Sequence, residues 1–192
     1  MARLKINPWI EVWLHPRNTI KAILKYDPKY MVLPLAALVG IANNALGFES
    51  MDAIVGGSSF IGSAFVAALL GIIGIYLFGF LFSFTGKWIG GKADALKLRA
   101  ALAWGSVPVV AGIILFVPLF FGLNTGSVGV IGMSGLIVSA LAIWSIVLRI
   151  GMIAEVQKFS IWKAILNVIL SSIIFLIPLL ILAVLAGVSL IT

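Results

Sequence analysis

Long stretches without an ionisable residue alternate along this chain with short segments that gather its charges. Residues 30–48 are 19 positions free of Asp, Glu, Lys and Arg, enough at about 1.5 Å per residue to cross a hydrocarbon core about 30 Å thick. Residues 53–86 add 34 more, but they open on the turn-like AIVGGSS, so the predicted span covers 60–84. The 49 residues from Ala100 to Leu148 are too many for one tilted helix. Asn124, Thr125, Gly126 and Ser127 form a turn cluster near their middle, which divides them into spans over 100–122 and 128–153. Residues 164–191 supply a fifth. Runs such as FVAALLGIIGIYLFGFLF do not alternate polar and apolar positions as barrel strands do, so the spans are helices. The pattern predicts an all-α, polytopic membrane protein with five transmembrane helices.

Composition agrees. The 192 residues are 62% hydrophobic and 10% charged, against about 25% charged in soluble globules. The 20 Gly and 7 Pro fit membrane helices, where neighbouring spans recover the backbone hydrogen bonds such residues forfeit. With no cysteine there is no disulfide, thiolate metal site or cysteine lipidation to consider. The N-terminal thirty residues lack an apolar core of signal-peptide length, so the first span is expected to act as its own signal.

Charge then sets an expected orientation. Arg3, Lys5, Arg17, Lys21, Lys25 and Lys29 precede the first span; Lys87, Lys92, Lys97 and Arg99 follow the second; Arg149, Lys158 and Lys163 surround the turn between the fourth and fifth. The other two connections carry Glu49 and Asp52 but no Lys or Arg. All 13 basic residues therefore fall on one side, which the positive-inside rule makes cytoplasmic, with the N-terminus inside and the C-terminus outside.

Arg149 and Glu155 close an otherwise apolar run. At about 100° per residue they sit about 120° apart around a helix, so they do not pair on a straight one. Either the chain bends at Gly151, or each finds a partner on another span, where Asn43, Asn44 and Asn167 are the polar candidates. Arg149 is read either as a snorkelling side chain with a structural hydrogen bond or as part of a functional intramembrane polar cluster.

Residues 1–29 read as an interfacial amphipathic segment ahead of a transmembrane domain at 30–192. Asn7 suits an N-cap and Pro8 a first helical position, with Trp9, Ile10, Trp13 and Leu14 sharing a face. After Pro16 a second helix sets Ile20, Ile23 and Leu24 apolar and Arg17, Lys21 and Lys25 basic, until Asp27 and Pro28 stop it. Such helices lie in the headgroup plane, tryptophans inward and lysines toward anionic lipid. In TGKWIGGKADALKLRAALAW, Gly86, Gly90 and Gly91 around Trp88 allow a tight interfacial turn bearing Lys87 and Lys92, and Lys97 and Arg99 then follow on a resumed helix. GGK is not a phosphate loop: the glycine-to-lysine spacing is absent and no strand precedes it. Both segments serve either as anchor and topology signal or as a docking surface for a cytoplasmic partner.

The succession GKWIGGK, LRAALAWGSVP and AEVQKFSIWKAILNVIL resembles the YIP domain family over nearly the whole chain, and NPWIEVWLHPRNTIKAIL is similar to the start of its compact prokaryotic members. The resemblance implies five spans, a cytoplasmic N-terminus, a prokaryotic cytoplasmic membrane location and kinship with proteins whose eukaryotic members are linked to Rab-type GTPases and vesicle traffic. The acidic, tyrosine-containing stretch of the eukaryotic members has no counterpart in residues 1–29.

The composition of the spans argues against catalysis, because the single histidine, His15, is interfacial and no span holds an aspartate. No cofactor or metal is expected. In span two, Ser63, Ala67, Gly71, Gly79 and Ser83 recur on one face, and in span four Gly132, Gly135 and Ser139 do so; these pack the bundle or serve self-association as a homo-oligomer. A net charge of +7 on one face suits anionic headgroups or an acidic membrane or cytoplasmic partner, and not nucleic acid. The expected role is a membrane scaffold, adaptor or organising factor working through its basic face. The alternative is a small transporter or channel subunit with its polar cluster near Arg149 and Glu155.

Overall fold

The N-terminal helices start and stop at the residues that punctuate them. Asn7 accepts a hydrogen bond from the Trp9 amide at 3.1 Å, and Pro8 opens α1 (Pro8–Glu11). Pro16 opens α2 (Pro16–Tyr26), which gives way to extended backbone at Asp27. The computed structural model describes Leu4 and residues 6–46, 60–115, 118, 122 and 124–189, and among these the regular structure is helical with no strand.

Helix α3 (Val32–Ala45) follows Met31, whose φ of 56° turns the chain sharply. Its 14 residues rise about 21 Å, less than the expected span over 30–48; residues 47–59, with Glu49, Asp52 and the AIVGGSS turn, lie outside the described residues. Helix α4 (Phe60–Trp88) continues past the predicted end at 84. Helix α5 (Ala95–Gly105) starts on Asp94, whose side chain accepts from the Lys97 amide at 2.9 Å. The third span is not one regular helix. Pro108 has no N–H for the Trp104 carbonyl, so the helix breaks at Ser106 and resumes as α6 (Val107–Ala111) and a 3-10 turn (Gly112–Leu115). Helix α7 (Val128–Gln157) runs through Gly151 and four residues beyond the expected end, stopping at Lys158 with φ 60°. Helix α8 (Ile161–Ser189) closes the described chain.

Among the described residues, four stretches are long and apolar enough to cross a membrane: Ile61–Trp88, Ala95–Leu115, Val128–Gln157 and Ile161–Pro178. They form a ring. Helix α4 packs on α5, α5 on α7, α7 on α8 and α8 on α4, while α3 lies on α4, α5 and α6. The closest crossing is α3 on α4: a Cβ at Gly40 would strike the Ala67 carbonyl, and one at Gly71 the Ala36 carbonyl. The small residues of α4 thus serve packing within the chain, as small residues let backbones approach. Those of α7 do not, since nothing in the described structure lies within 4 Å of a Cβ placed at Gly132 or Gly135, and Ser139 is exposed.

Helix α2 lies across α5 and the C-terminal end of α7, with Pro16 over Gly151. Ile20 and Ile23 are fully buried there, so the apolar face expected to enter the headgroup plane packs on protein. Each such side chain contributes about 1.5–3 kcal/mol on leaving water, a gain that lipid would match, so what favours the bundle seat is close packing on protein. Leu24 packs against the same core part-buried.

Candidate functional site at the basic end of the bundle

The C-termini of α4 and α7 and the N-termini of α5 and α8 meet at one end of the ring, around one glutamine. Gln157 is fully buried: its Nε2 donates to the Phe82 carbonyl at 3.0 Å and its Oε1 accepts from the Ala93 amide at 3.0 Å. Asn167 on α8 donates to the same Phe82 carbonyl at 3.2 Å and accepts from the Thr85 hydroxyl at 2.6 Å, and Thr85 meets Ser171 at 2.7 Å. Ser83 donates to the Ala93 carbonyl at 3.1 Å. Each polar group is matched, as burial requires, so the network pins the loop between α4 and α5 to α7 and α8.

The glycines of GKWIGGK follow from this arrangement. A Cβ at Gly86 would fall on Gln157 Nε2 and one at Gly91 on Gln157 Oε1. Gly90, with φ 91°, is required by the turn itself, and a Cβ at Gly91 would also strike the Gly86 carbonyl across that turn. Gln157, Thr85 and Ser171 were not foreseen from sequence; the available signal was two glycines close together with no left-handed turn to explain both.

The N-terminal segment is held by aromatics. Trp104, also unforeseen, is fully buried; its indole N–H donates to the Tyr30 carbonyl at 3.1 Å, and its ring lies 5.1 Å from that of Trp9 and 5.9 Å from that of Tyr30. Trp13 packs part-buried on the same core. Trp9 and Trp13 therefore brace α1 against α5, whereas Trp88 is 60% exposed at the end of α4.

Around this platform Arg17, Lys21, Lys25, Lys29, Lys87, Lys92, Lys158 and Lys163 are exposed. Glu155 takes Lys158 at 2.6 Å and Lys21 at 3.4 Å, so it clamps α2 to the end of α7 and lies apart from Arg149. Lys97 pairs with Asp94 at 3.4 Å, and Lys163 donates to the Ile89 carbonyl at 3.4 Å. Lys25, Lys87 and Lys92 have no ion pair among the described residues. Arg99 differs from the surface cations it was grouped with: its guanidinium lies 4.0 Å over the Tyr76 ring, its stem packs on Gly79, and its Nε is buried without a hydrogen-bond partner. It turns along α4 because Gly79 leaves room for its stem and Tyr76 offers a π-face.

The five intramembrane polar residues singled out in the sequence separate into distinct settings. Asn44 donates to Ser63 at 3.3 Å across the α3–α4 crossing, Asn167 belongs to the buried network, and Glu155 to the lysine clamp. Arg149 and Asn43 line a 610 Å³ cavity inside the ring. Arg149 Nε donates to the Ser145 carbonyl on its own helix at 3.4 Å, and no carboxylate pairs with it among the described residues.

A chain that is all helical among its described residues, whose longest helices present Leu70, Ile73, Leu136, Ile143, Ile173 and their neighbours outward and whose exposed described cations gather at one end, is an integral membrane protein. The Yip1 domain family model matches residues 10–183, and the chain belongs to that family. Among curated proteins and solved structures none matches the chain.

Proposed function

We propose that this Yip1-domain protein is a membrane scaffold or adaptor that works through its basic end, which faces the cytoplasm of a prokaryotic cell with five spans in the bilayer, and that it is not a catalyst. The observation that carries this reading is the pairing of exposed, unmatched cations with a rigid support. Lys25, Lys87 and Lys92 project from α2, from the last turn of α4 and from the α4–α5 loop; Glu155 fixes α2 to the ring and Gln157 fixes the loop. A loop whose only duty was to satisfy the positive-inside rule would not need a fully matched buried network beneath it. Fixed cations keep their mutual geometry when an acidic partner arrives, so less ordering entropy opposes binding. Each cation near an anionic leaflet contributes about 1 kcal/mol, and this attraction falls off within a Debye length of about 8 Å at physiological salt.

The triple variant K25Q/K87Q/K92Q tests the reading, because none of the three side chains makes an ion pair that supports the fold. Proteins and lipids that copurify from native membrane with the wild type in mild detergent should be depleted from the variant at least tenfold, while its melting temperature stays unchanged. Equal recovery from both would reduce the basic end to an orientation signal.

A further inference from the structure

The interior of the ring offers a second, separate site. Helices α4 and α7 meet at the basic end through Gln157, and further along they are diagonal members of the ring, with α5 and α8 each packed on both. The 610 Å³ cavity lies between them, beneath the Gln157 network; Phe82 belongs to both. Its walls are apolar apart from Arg149, Asn43, Ser106 and Ser172. Ser106 and Ser172 each stand eleven residues into the stretches that begin at Ala95 and Ile161, about 16 Å inward at about 1.5 Å per residue, and Arg149, eight residues before Gln157, lies about 12 Å inward beside Gly105. Asn43 lies deeper, next to Asn44, which meets Ser63 near the start of α4.

The two serine hydroxyls donate to carbonyls of their own helices, Leu102 at 2.8 Å and Val168 at 2.9 Å. Asn43 makes no hydrogen bond among the described residues, and the terminal nitrogens of Arg149 make none. A guanidinium in such a setting carries a cost that an anion would offset, and basic pockets between spans are suited to lipid headgroups. Leu70, Ile73 and Leu77 of α4 and Ile146 of α7 line the cavity and are also exposed on the outer surface, so it opens sideways onto the acyl region. At about 30 Å³ for a water-sized group, the volume takes about twenty groups, an anionic head with one alkyl chain.

We infer that this cavity binds an anionic phospholipid from the surrounding leaflet, the phosphate on Arg149 and one acyl chain along the apolar wall of α4 and α8. A soluble phosphate would match the arginine alone and leave the apolar walls empty. A lipid fills both, and its second chain rests on the exposed leucines of α4.

Native mass spectrometry of the purified chain in mild detergent tests this, with phosphatidylglycerol, phosphatidylcholine and inorganic phosphate as probes. The wild type should retain one phosphatidylglycerol per chain, at least tenfold over phosphatidylcholine, and millimolar inorganic phosphate should not displace it. R149Q should lose this retention about tenfold or more, and R149K should recover part of it. G74L reports independently of charge: Gly74 lines the cavity and a Cβ there meets nothing within 4 Å, so the added side chain starts from open space and extends into the site. It should also lose the lipid, and it decides the matter should R149Q fail to fold. K25Q/K87Q/K92Q should retain the lipid, so this inference and the proposed adaptor role fail separately. Phosphatidylglycerol retained by folded G74L as by the wild type would overturn the inference. So would equal retention of phosphatidylcholine, or displacement by inorganic phosphate, which would assign the arginine to a soluble anion.

Discussion

Replacing Gln157 with Ala removes both hydrogen bonds that hold the α4–α5 loop to α7. The bond to Phe82 counts for little by itself. Hydrogen bonds between membrane helices average about 0.6 kcal/mol, and the Phe82 carbonyl keeps Asn167 as a donor. The Ala93 amide is the larger loss, because a buried donor left unmatched costs about 1–3 kcal/mol. The void adds about 1–1.5 kcal/mol at about 24 cal/mol per Å³ for a side chain shortened by four heavy atoms. Together these predict about 3–5 kcal/mol, a large part of a stability of about 5–15 kcal/mol. The measurement is reversible unfolding in mixed micelles, paired with a cycle at Gly86. G86A alone should destabilise, since its Cβ falls on Gln157 Nε2. In the Q157A background the same change should cost clearly less or become stabilising, because only Asn167 Nδ2 at 3.3 Å remains close to the new Cβ and Ala is favoured over Gly in a helix by about 1 kcal/mol. Q157A within about 0.5 kcal/mol of wild type, or G86A costing the same in both backgrounds, would refute the claim that these glycines exist to admit Gln157.

Other substitutions probe the remaining contacts. W104A should cost about 3–5 kcal/mol and expose α1 and α2 to limited proteolysis, because it removes the ring against which Trp9 and Tyr30 pack. E155Q should cost under about 1 kcal/mol, since both lysine partners are well exposed, and 1 M salt should erase the difference from wild type. G40L should disrupt the α3–α4 crossing outright, its side chain meeting the Ala67 backbone, and should be recognised by loss of a monodisperse elution profile. Y76L should weaken the seat of Arg99 by about 1 kcal/mol in the same unfolding assay, whereas Y76F should cost less.

Much of the architecture was legible because a bilayer imposes long apolar runs and because capping residues act locally. Asn7, Pro8, Pro16 and Asp27 mark helix limits through their own backbone chemistry, so those limits read directly from sequence. The resemblance carried by GKWIGGK and its companions agrees with the Yip1 family match. What was not legible depends on contacts between distant segments. Gln157 looks like any polar residue after a span until Ala93 and Phe82 are brought to it from 64 and 75 positions away. Arg99 reads as a surface cation until Tyr76 and Gly79 are set beside it. The amphipathic face of α2 is equally suited to lipid or to protein, and hydrophobic periodicity cannot distinguish the two; the seat at Gly151 on the C-terminal end of α7 does.

Sidedness underlies the proposed role most directly, and the absence of cysteine makes it measurable without background. A single cysteine placed at Lys92 should resist a membrane-impermeant maleimide in intact cells and react fully in inverted membranes. Labelling in intact cells would put the cationic end outside, and the account of it as a cytoplasmic docking face would be contradicted.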